Sequence, residues 1–345
     1  LGHREQFLPT NNGFDYYYGI PYSNDMDITR KMNSSMDYWE LWTTHYKSLN
    51  FEDFNVPILE GTQQVERPAD QQTIVKRFTD ASIDVVNRHQ ETDNPFFIYL
   101  AYNLPHVPLF ASEDFMGTSK RGLYGDVVEE IDYNIGRLIA ALKEKGLEDD
   151  TIVVFTSDNG PWLPTEISGG SAGLLRGGKG STWEGGMREP TIFWSPGNIQ
   201  PGVITEMGTT MDLFTTFSKL AGVAVPSDRE MDGYDLTPVL FHKEKGVRNE
   251  VFYYRQRELY AVRVGSFKAH FITQEGYGNE KTYHNPPLLY NVDEDPSERF
   301  DIAENNPDIL LTIQAVVEVH QSKMLMDPDL LLERDKKYLS SSTVP

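Results

Sequence analysis

The first two thirds of the chain alternate between short apolar runs and longer stretches with helical spacing. Two stretches, at 70–89 and about 128–146, carry apolar residues every three to five positions, as a helix with one buried face does. A third helix is predicted at 210–221. The two stripes consist of Ile74, Phe78, Ile83 and Val86 in the first helix and of Val128, Ile131, Ile135, Leu138 and Leu142 in the second.

Continuous apolar runs at 95–102 and 151–156 predict buried strands, and the run at 190–194 predicts a further strand. Strands alternating with helices are typical of an α/β sheet that is covered by helices on both faces. Residues 1–65 lack such periodicity and are predicted to form long loops.

The pattern changes past Pro238. Residues 258–272 alternate around a turn at 264–266 and predict a hairpin, with a short strand at 288–292 and a helix near 307–324. We therefore predict two domains, an α/β catalytic domain over 1–238 and a small antiparallel α+β subdomain over 239–345.

Charge and composition exclude several classes of protein. The 31 Lys+Arg against 52 Asp+Glu give a net charge of −21, which repels nucleic acid and anionic membranes. The absence of cysteine excludes a disulfide scaffold, a thiolate zinc site and a cysteine nucleophile from these residues. No run approaches the roughly 18 apolar residues of a membrane span, so no span is predicted.

Two polar clusters follow predicted strands, where ligands bind in open α/β sheets. Asp158 and Asn159 offer a carboxylate and an amide oxygen, which suit Ca²⁺ or Mg²⁺, although an ordinary Asx–Gly turn explains these residues as well. His106 lies between two prolines, in a position for acid–base or anion chemistry or, alternatively, for capping a turn.

A glycine-rich loop contains Lys179. From Gly173 to Lys179 the spacing fits the phosphate-loop pattern, but Gly180 stands where that motif needs Ser or Thr, and no strand directly precedes the loop. We therefore exclude a nucleotide-binding loop. A lysine here suits another tetrahedral anion, and a flexible solvated loop is the alternative.

Several segments, in the right order along the chain, resemble the sulfatase family of the arylsulfatase A kind, in the alkaline phosphatase superfamily. The glycine-rich segment at 173–190 resembles the lysine loop of that family, and we call it the lysine loop. The segment at 155–161 resembles the family's metal-binding strand end, and 95–99 with His106 resembles its histidine strand and loop. The remaining matches are at 7–15, 19–25, 260–271 and 287–296.

The resemblance implies an alkaline-phosphatase-like α/β fold and hydrolysis of sulfate esters with Ca²⁺, or Mg²⁺ in its place. It implies that Asp158 and Asn159 bind the metal and that Lys179 binds the sulfate. It further implies that His106 binds the sulfate and protonates the leaving oxygen, and that Ser23 forms a hydrogen bond near the sulfate. To Arg188, inside the matching loop, we assign only a structural salt bridge.

The chain departs from the family pattern at its start. The family nucleophile is a formylglycine made from Cys or Ser in a C-x-P-S-R-like motif, and neither that motif nor the paired aspartates of the first strand occur here. We therefore expect an N-terminally truncated chain, with the formylglycine and any signal peptide upstream of residue 1. These residues alone are expected to show no sulfatase turnover.

The resemblance also implies partners and a location. A formylglycine-generating enzyme would mature the protein, its substrate would be a sulfated small molecule or carbohydrate, and its location would be periplasmic or secreted, or lysosomal in a eukaryote. Two alternatives stay open: a phosphonate or phosphate monoester hydrolase of the same superfamily, and a non-catalytic remnant that binds a cation or a sulfated glycan.

Overall fold

The computed structural model describes residues 2–29, 49–92 and 94–326. The chain divides into two compact units. The first is Leu1–Arg248 with Gln274–Glu280, and the second is Asn249–Thr273 with Lys281–Pro345. Our sequence-based domain division at 238/239 stays a prediction.

The helices of the first unit follow the predicted apolar stripes. The helices are α1 (Ile74–Thr92), α2 (Leu123–Glu144), α3 (Glu184–Met187), α4 (Met211–Leu220) and α5 (Thr237–His242). The predicted helices at 70–89, 128–146 and 210–221 are confirmed as α1, α2 and α4. One stripe position was wrong: Val128 is 40% exposed, whereas its neighbour Val127 is buried in a cluster with Val75 of α1. Within the described residues, no helix is long and apolar enough to cross a membrane.

The described residues of the first unit form two small antiparallel sheets. Their strands are β1 (Tyr18–Gly19), β2 (Ile58–Glu60), β3 (Gln63–Glu66), β4 (Val153–Thr156) and β5 (Thr191–Trp194). The strands predicted at 151–156 and 190–194 are confirmed as β4 and β5, which pair with each other. The burial predicted for 151–156 was wrong, because Phe155 is 41% exposed and the other residues of β4 are only partly buried. A three-stranded sheet, β1–β2–β3, lies where only loops were predicted, because strands this short show too few alternations to be detected. Residues 30–48 of those predicted loops lie outside the described residues.

The predicted buried strand at 95–102 was wrong. The segment belongs to none of the sheets that the described residues form, and Phe97 and Tyr99 are 61% and 76% exposed. An apolar run indicates that a segment can enter a sheet, but a strand also needs a neighbouring strand to pair with its backbone. The run itself cannot specify that neighbour.

The segment that follows, 104–111, is anchored in the core of the first unit. Leu104, Val107 and Phe110 are buried in one cluster with Val127 and Ile131 of α2. Burying several large apolar side chains at about 1.5–3 kcal/mol each fixes this irregular segment against the helices. The backbone on both sides of His106 is therefore held by packing.

The second unit is a four-stranded antiparallel sheet with one long helix. The elements are β6 (Glu250–Arg255), β7 (Glu258–Val264), β8 (Phe267–Thr273), β9 (Thr282–Asn291) and α6 (Pro307–Lys323). The strand order is β6–β7–β8–β9, so every strand pairs with its neighbour in sequence. The hairpin predicted at 258–272 and the helix near 307–324 are confirmed, and the strand predicted at 288–292 is longer than expected.

A charged cluster is buried inside this second unit. Lys268, His270 and Glu298 are all 0% exposed. The Glu298 carboxylate lies 2.6 Å from His270 Nε2 and 3.4 Å from Lys268 Nζ, and that ammonium lies 4.4 Å from the centre of the Tyr253 ring. The cluster satisfies the rule that a buried charge needs a charged partner.

Candidate active site

The loop that carries Lys179 is packed backbone against backbone on the end of β4. The Lys179 N–H donates to the Pro161 carbonyl over 2.9 Å, and the Gly160 N–H donates to the Gly186 carbonyl over 3.3 Å. A Cβ on Gly160 would lie 1.9 Å from the Gly185 carbonyl oxygen, closer than any side chain allows. The glycines of the motif therefore permit close approach of two chain segments.

Trp162 brings two of the predicted site residues together. The His106 ring stacks on the Trp162 ring with centroids 5.9 Å apart, and the Lys179 ammonium lies 5.7 Å from the centre of the same ring. A cation at that distance from an indole is attracted by the electrons of the ring. The histidine segment and the lysine loop thus meet on one aromatic side chain.

The half-buried His106 is oriented by its own loop. Its Nδ1–H donates to the Val107 carbonyl over 2.6 Å, which leaves Nε2 as the nitrogen that can exchange a proton with a ligand. Burial lowers the pKa of His106 and the positive charge of Lys179 lowers it further, while Asp25 and Asp158 act in the opposite direction. His106, Lys179 and Asp158 therefore share one electrostatic environment.

Ser23 is exposed and lies beside this environment. Its neighbour Asn24 is buried, and the Asn24 side-chain amide donates to the Gln71 side chain over 2.9 Å and to the Pro108 carbonyl over 3.1 Å. The second bond ties the Ser23 segment to a residue two positions after His106. The sulfate contact that the resemblance implies for Ser23 remains a proposal.

Asp158 and Asn159 directly follow β4, as predicted, with Asp158 exposed and Asn159 partly buried. A second acidic residue, Glu189, lies near Asp158. Burial, together with the Asp158 charge, raises the pKa of Glu189 to about 7, and its buried Oε1 has no hydrogen-bond partner. Mutually repelling oxygen donors of this kind fit a hard cation.

These residues would supply only some of the ligands that a metal ion needs. Within the described ranges, no three His, Cys, Asp or Glu side chains come together as a metal cluster. The oxygen chemistry of Asp158 and Asn159 therefore suits Ca²⁺ or Mg²⁺, and the metal-binding role of the two residues stays a proposal.

Arg188 directly follows α3. Its guanidinium Nη1 lies 3.7 Å from the carboxylate of Glu184, one helical turn earlier. The carboxylate is buried and the arginine is half-exposed, with 2% and 52% of the side chains accessible. This contact agrees with the structural salt bridge that we assigned to Arg188.

Sequence reasoning overlooked several residues of this environment. Trp162, Asp25 and Glu189 stood in or beside the matched segments, so a search of the positions next to each motif would have found them. Glu275 gave no local signal. Its carboxylate accepts a hydrogen bond from the Trp183 indole, although 92 positions separate the two residues.

Comparison with known proteins identifies the family. Residues 2–223 match the model of the Sulfatase family, and residues 246–343 match the model described as the C-terminal region of aryl-sulfatase. The N-acetylgalactosamine-6-sulfatase of Canis lupus familiaris is 35% identical over 351 residues, covering 94% of this chain. Human arylsulfatase A is 34% identical over 348 residues, covering 95% of this chain and 67% of the relative.

The chain spans about two thirds of the length of these relatives, 65% in the case of the canine enzyme. Two solved structures are similar over 92% of the chain. The PsFucS1 sulfatase from Pseudoalteromonas sp. has a TM-score of 0.77 at 25% identity, with 67% of its own chain covered. Ps i-CgsB in complex with k-i-k-neocarrahexaose has a TM-score of 0.70 at 26% identity, with 69% covered.

These similarities confirm the predicted α/β fold class of the alkaline phosphatase kind, with its small C-terminal antiparallel sheet. They run through both units and include every segment on which the resemblance rested. The chain belongs to the sulfatase family.

Proposed function

We propose that this chain carries the sulfate-binding part of the active site of an arylsulfatase-like sulfuric ester hydrolase. The observation that carries the proposal is the meeting of Lys179 and His106 on Trp162. A cation and a proton donor side by side are what cleavage of a sulfate monoester needs from the protein. Family membership supports the same reading.

Lys179 would bind the sulfate oxygens. Its ammonium neutralises charge on the sulfate, and a positioned charge of this kind stabilises a transition state by several kcal/mol. Ser23 would add a hydrogen bond. Asp158 and Asn159 would hold the metal ion. When bound, that ion would add positive charge at the sulfate, and a formylglycine would supply the attacking oxygen.

His106 would protonate the alcohol oxygen as its bond to sulfur breaks. The proton comes from Nε2, because Nδ1–H is engaged with the Val107 carbonyl. Since burial and Lys179 lower the pKa of His106, the protonated fraction declines from a lower pH than for an ordinary histidine. Protonation of the leaving group is therefore favoured in acidic solution.

The experiment uses the protein expressed from its complete gene together with a formylglycine-generating enzyme. Turnover of 4-nitrophenyl sulfate with Ca²⁺ should exceed turnover of 4-nitrophenyl phosphate. The opposite preference would establish the phosphate or phosphonate hydrolase alternative. If neither ester is hydrolysed, the result would support the alternative of a non-catalytic protein that binds a cation or a sulfated glycan.

The role of His106 has its own test. His106→Ala should slow hydrolysis of an alkyl or sugar sulfate more than that of 4-nitrophenyl sulfate, because 4-nitrophenolate leaves without a proton. Equal losses on both esters would contradict the role as a proton donor. Ser171→Ala, at an exposed position of the glycine-rich loop, serves as the control.

The substrate class belongs to the proposal as well. We propose a sulfated carbohydrate, since one similar solved structure is a complex with a neocarrahexaose and relatives are named N-acetylgalactosamine-6-sulfatase. A panel of sulfated oligosaccharides with matched unsulfated controls tests it. A periplasmic or secreted location, or a lysosomal one in a eukaryote, is tested by fractionating cells that express the complete gene.

A further inference from the structure

A short segment between β8 and β9 belongs to the first unit. The strands before and after it are part of the second unit, but residues 274–280 cluster with the first. The side chains of this segment contact the lysine loop at two places. Both contacts lie within the first unit.

The first contact is made by Glu275. Its Oε1 accepts a hydrogen bond from Trp183 Nε1 over 3.2 Å and lies 3.4 Å from Arg176 Nη2. The Arg176 guanidinium stacks on the Trp183 ring, 3.6 Å from its centre, and Trp183 is 1% exposed. We name Arg176, Trp183 and Glu275 the carboxylate clamp.

The clamp joins the two arms of the lysine loop. Arg176 lies three residues before Lys179 and Trp183 four residues after it. The Gly185 N–H also donates to the Arg176 carbonyl over 2.7 Å, so backbone and side-chain contacts close the loop at the same place. A carboxylate that binds both arms restricts the positions of the residues between them.

The second contact of the segment falls next to Lys179. A Cβ on Gly180 would lie 2.9 Å from two carbons of the Tyr277 ring, and Gly180 has a φ of +86°, which L side chains rarely adopt. This explains why glycine stands where a phosphate loop has Ser or Thr. Tyr277 packs against the backbone at that position.

We propose that Glu275 is a positioning residue of the anion site, acting on Lys179 through the carboxylate clamp. The inference rests on the proposed function, in which Lys179 binds sulfate. A long flexible lysine loses conformational entropy when it binds an anion, and a loop that already holds its backbone reduces that loss. The negative charge of Glu275 by itself acts against anion binding.

These two effects have opposite signs, which makes the inference testable. If Glu275 only neutralises Arg176, its removal adds net positive charge near the site and tightens sulfate binding. If Glu275 positions the loop, its removal weakens sulfate binding in spite of the added positive charge. Calorimetric titration of the complete gene product with sodium sulfate measures the sign directly.

We expect Glu275→Ala to weaken sulfate binding about 10-fold, equivalent to about 1.4 kcal/mol. Glu275→Gln should lie within about 3-fold of the parent, because its amide oxygen still accepts the Trp183 N–H. Glu280→Ala removes an exposed carboxylate of the same segment and should leave the affinity unchanged. Rescue by Gln separates positioning from a general loss of stability, since calorimetry reports affinity per folded molecule.

Affinity in Glu275→Ala equal to or tighter than the parent would overturn the inference, even if Lys179→Ala abolishes binding and so supports the anion site. If Lys179→Ala binds sulfate like the parent, the proposed function fails instead. In either case, hydrogen exchange tests whether the carboxylate clamp holds the lysine loop. Amides of residues 176–186 must exchange faster in Glu275→Ala than in Glu280→Ala, and equal rates would reject the clamp.

Discussion

The sheet β6–β9 and the sheet β4–β5 are built differently. In the first, each strand pairs with its neighbour in sequence, and side chains such as Val262 and Leu289 are completely buried. In the second, residues 157–190, which include Asp158 and Lys179, lie between the two strands, while Phe155 and Ile192 are 41% and 60% exposed. The proposed chemistry thus lies beside the sheet with less buried apolar surface.

Stability gives the largest expected contrast. Lys268→Met should cost the second unit about 3–5 kcal/mol, because it leaves the buried Glu298 without its ammonium partner. Lys281→Met, which breaks the solvent-exposed pair with Glu258, should destabilise the unit far less, because water screens the two charges. Urea unfolding and hydrogen exchange of the β7–β9 amides measure both changes. Equal costs for the two methionine variants would contradict the inference that burial makes the first pair critical.

Catalysis gives the next contrast. In the complete gene product, Lys179→Ala should lower kcat/KM on 4-nitrophenyl sulfate by at least about 100-fold, the scale of one lost transition-state contact. Lys120→Ala, at an exposed position outside the lysine loop, is the matched control. Activity within a few-fold of the parent in Lys179→Ala would mean that the anion binds elsewhere.

The next prediction concerns metal binding by the residues that follow β4. Ca²⁺ at 100 times its Kd should stabilise the complete gene product by about 2.7 kcal/mol, and Asp158→Ala should remove most of this gain. Thermal unfolding with and without Ca²⁺ measures it, with the exposed Asp150→Ala as control. The same rise in Tm for parent and Asp158→Ala would return Asp158 to the role of a turn residue.

The smallest expected effect is a shift in the titration of His106. The positive charge of Lys179 is one cause of the lowered pKa of His106, so Lys179→Met should raise that pKa. NMR titration of the imidazole signals in parent and variant measures the direction. An unchanged or lower pKa would show that the two side chains do not interact in solution.

Sequence reasoning succeeded where structure depends on neighbouring residues. The helices α1 and α2 and the β7–β8 hairpin follow from periodicity, because their hydrogen bonds close within one helix or between adjacent strands. The segment at 95–102 was mispredicted, since its apolar run is compatible with a strand but does not specify a pairing partner. A strand therefore needs both a suitable apolar pattern and a neighbouring strand to pair with, and only the pattern can be read from the local sequence.

The candidate site also contains residues that the sequence predicts and residues that it does not. The motif match identified His106, Asp158 and Lys179 as site residues, although without that match an ordinary turn explains His106 and Asp158 equally well. Glu275 could not be found, because it lies 99 positions from Arg176 and a single glutamate in a polar segment carries no pattern. Contacts of that sequence separation are visible only after folding.

The space around Gly160 has a consequence for engineering. With the Gly185 oxygen 1.9 Å from any added Cβ, a randomised library at position 160 would return glycine almost exclusively among its folded members. Retuning the selectivity of this enzyme class would instead have to use positions with room to grow. Leu174, 80% exposed in the same glycine-rich loop, accepts larger or polar side chains without moving the backbone that carries Lys179.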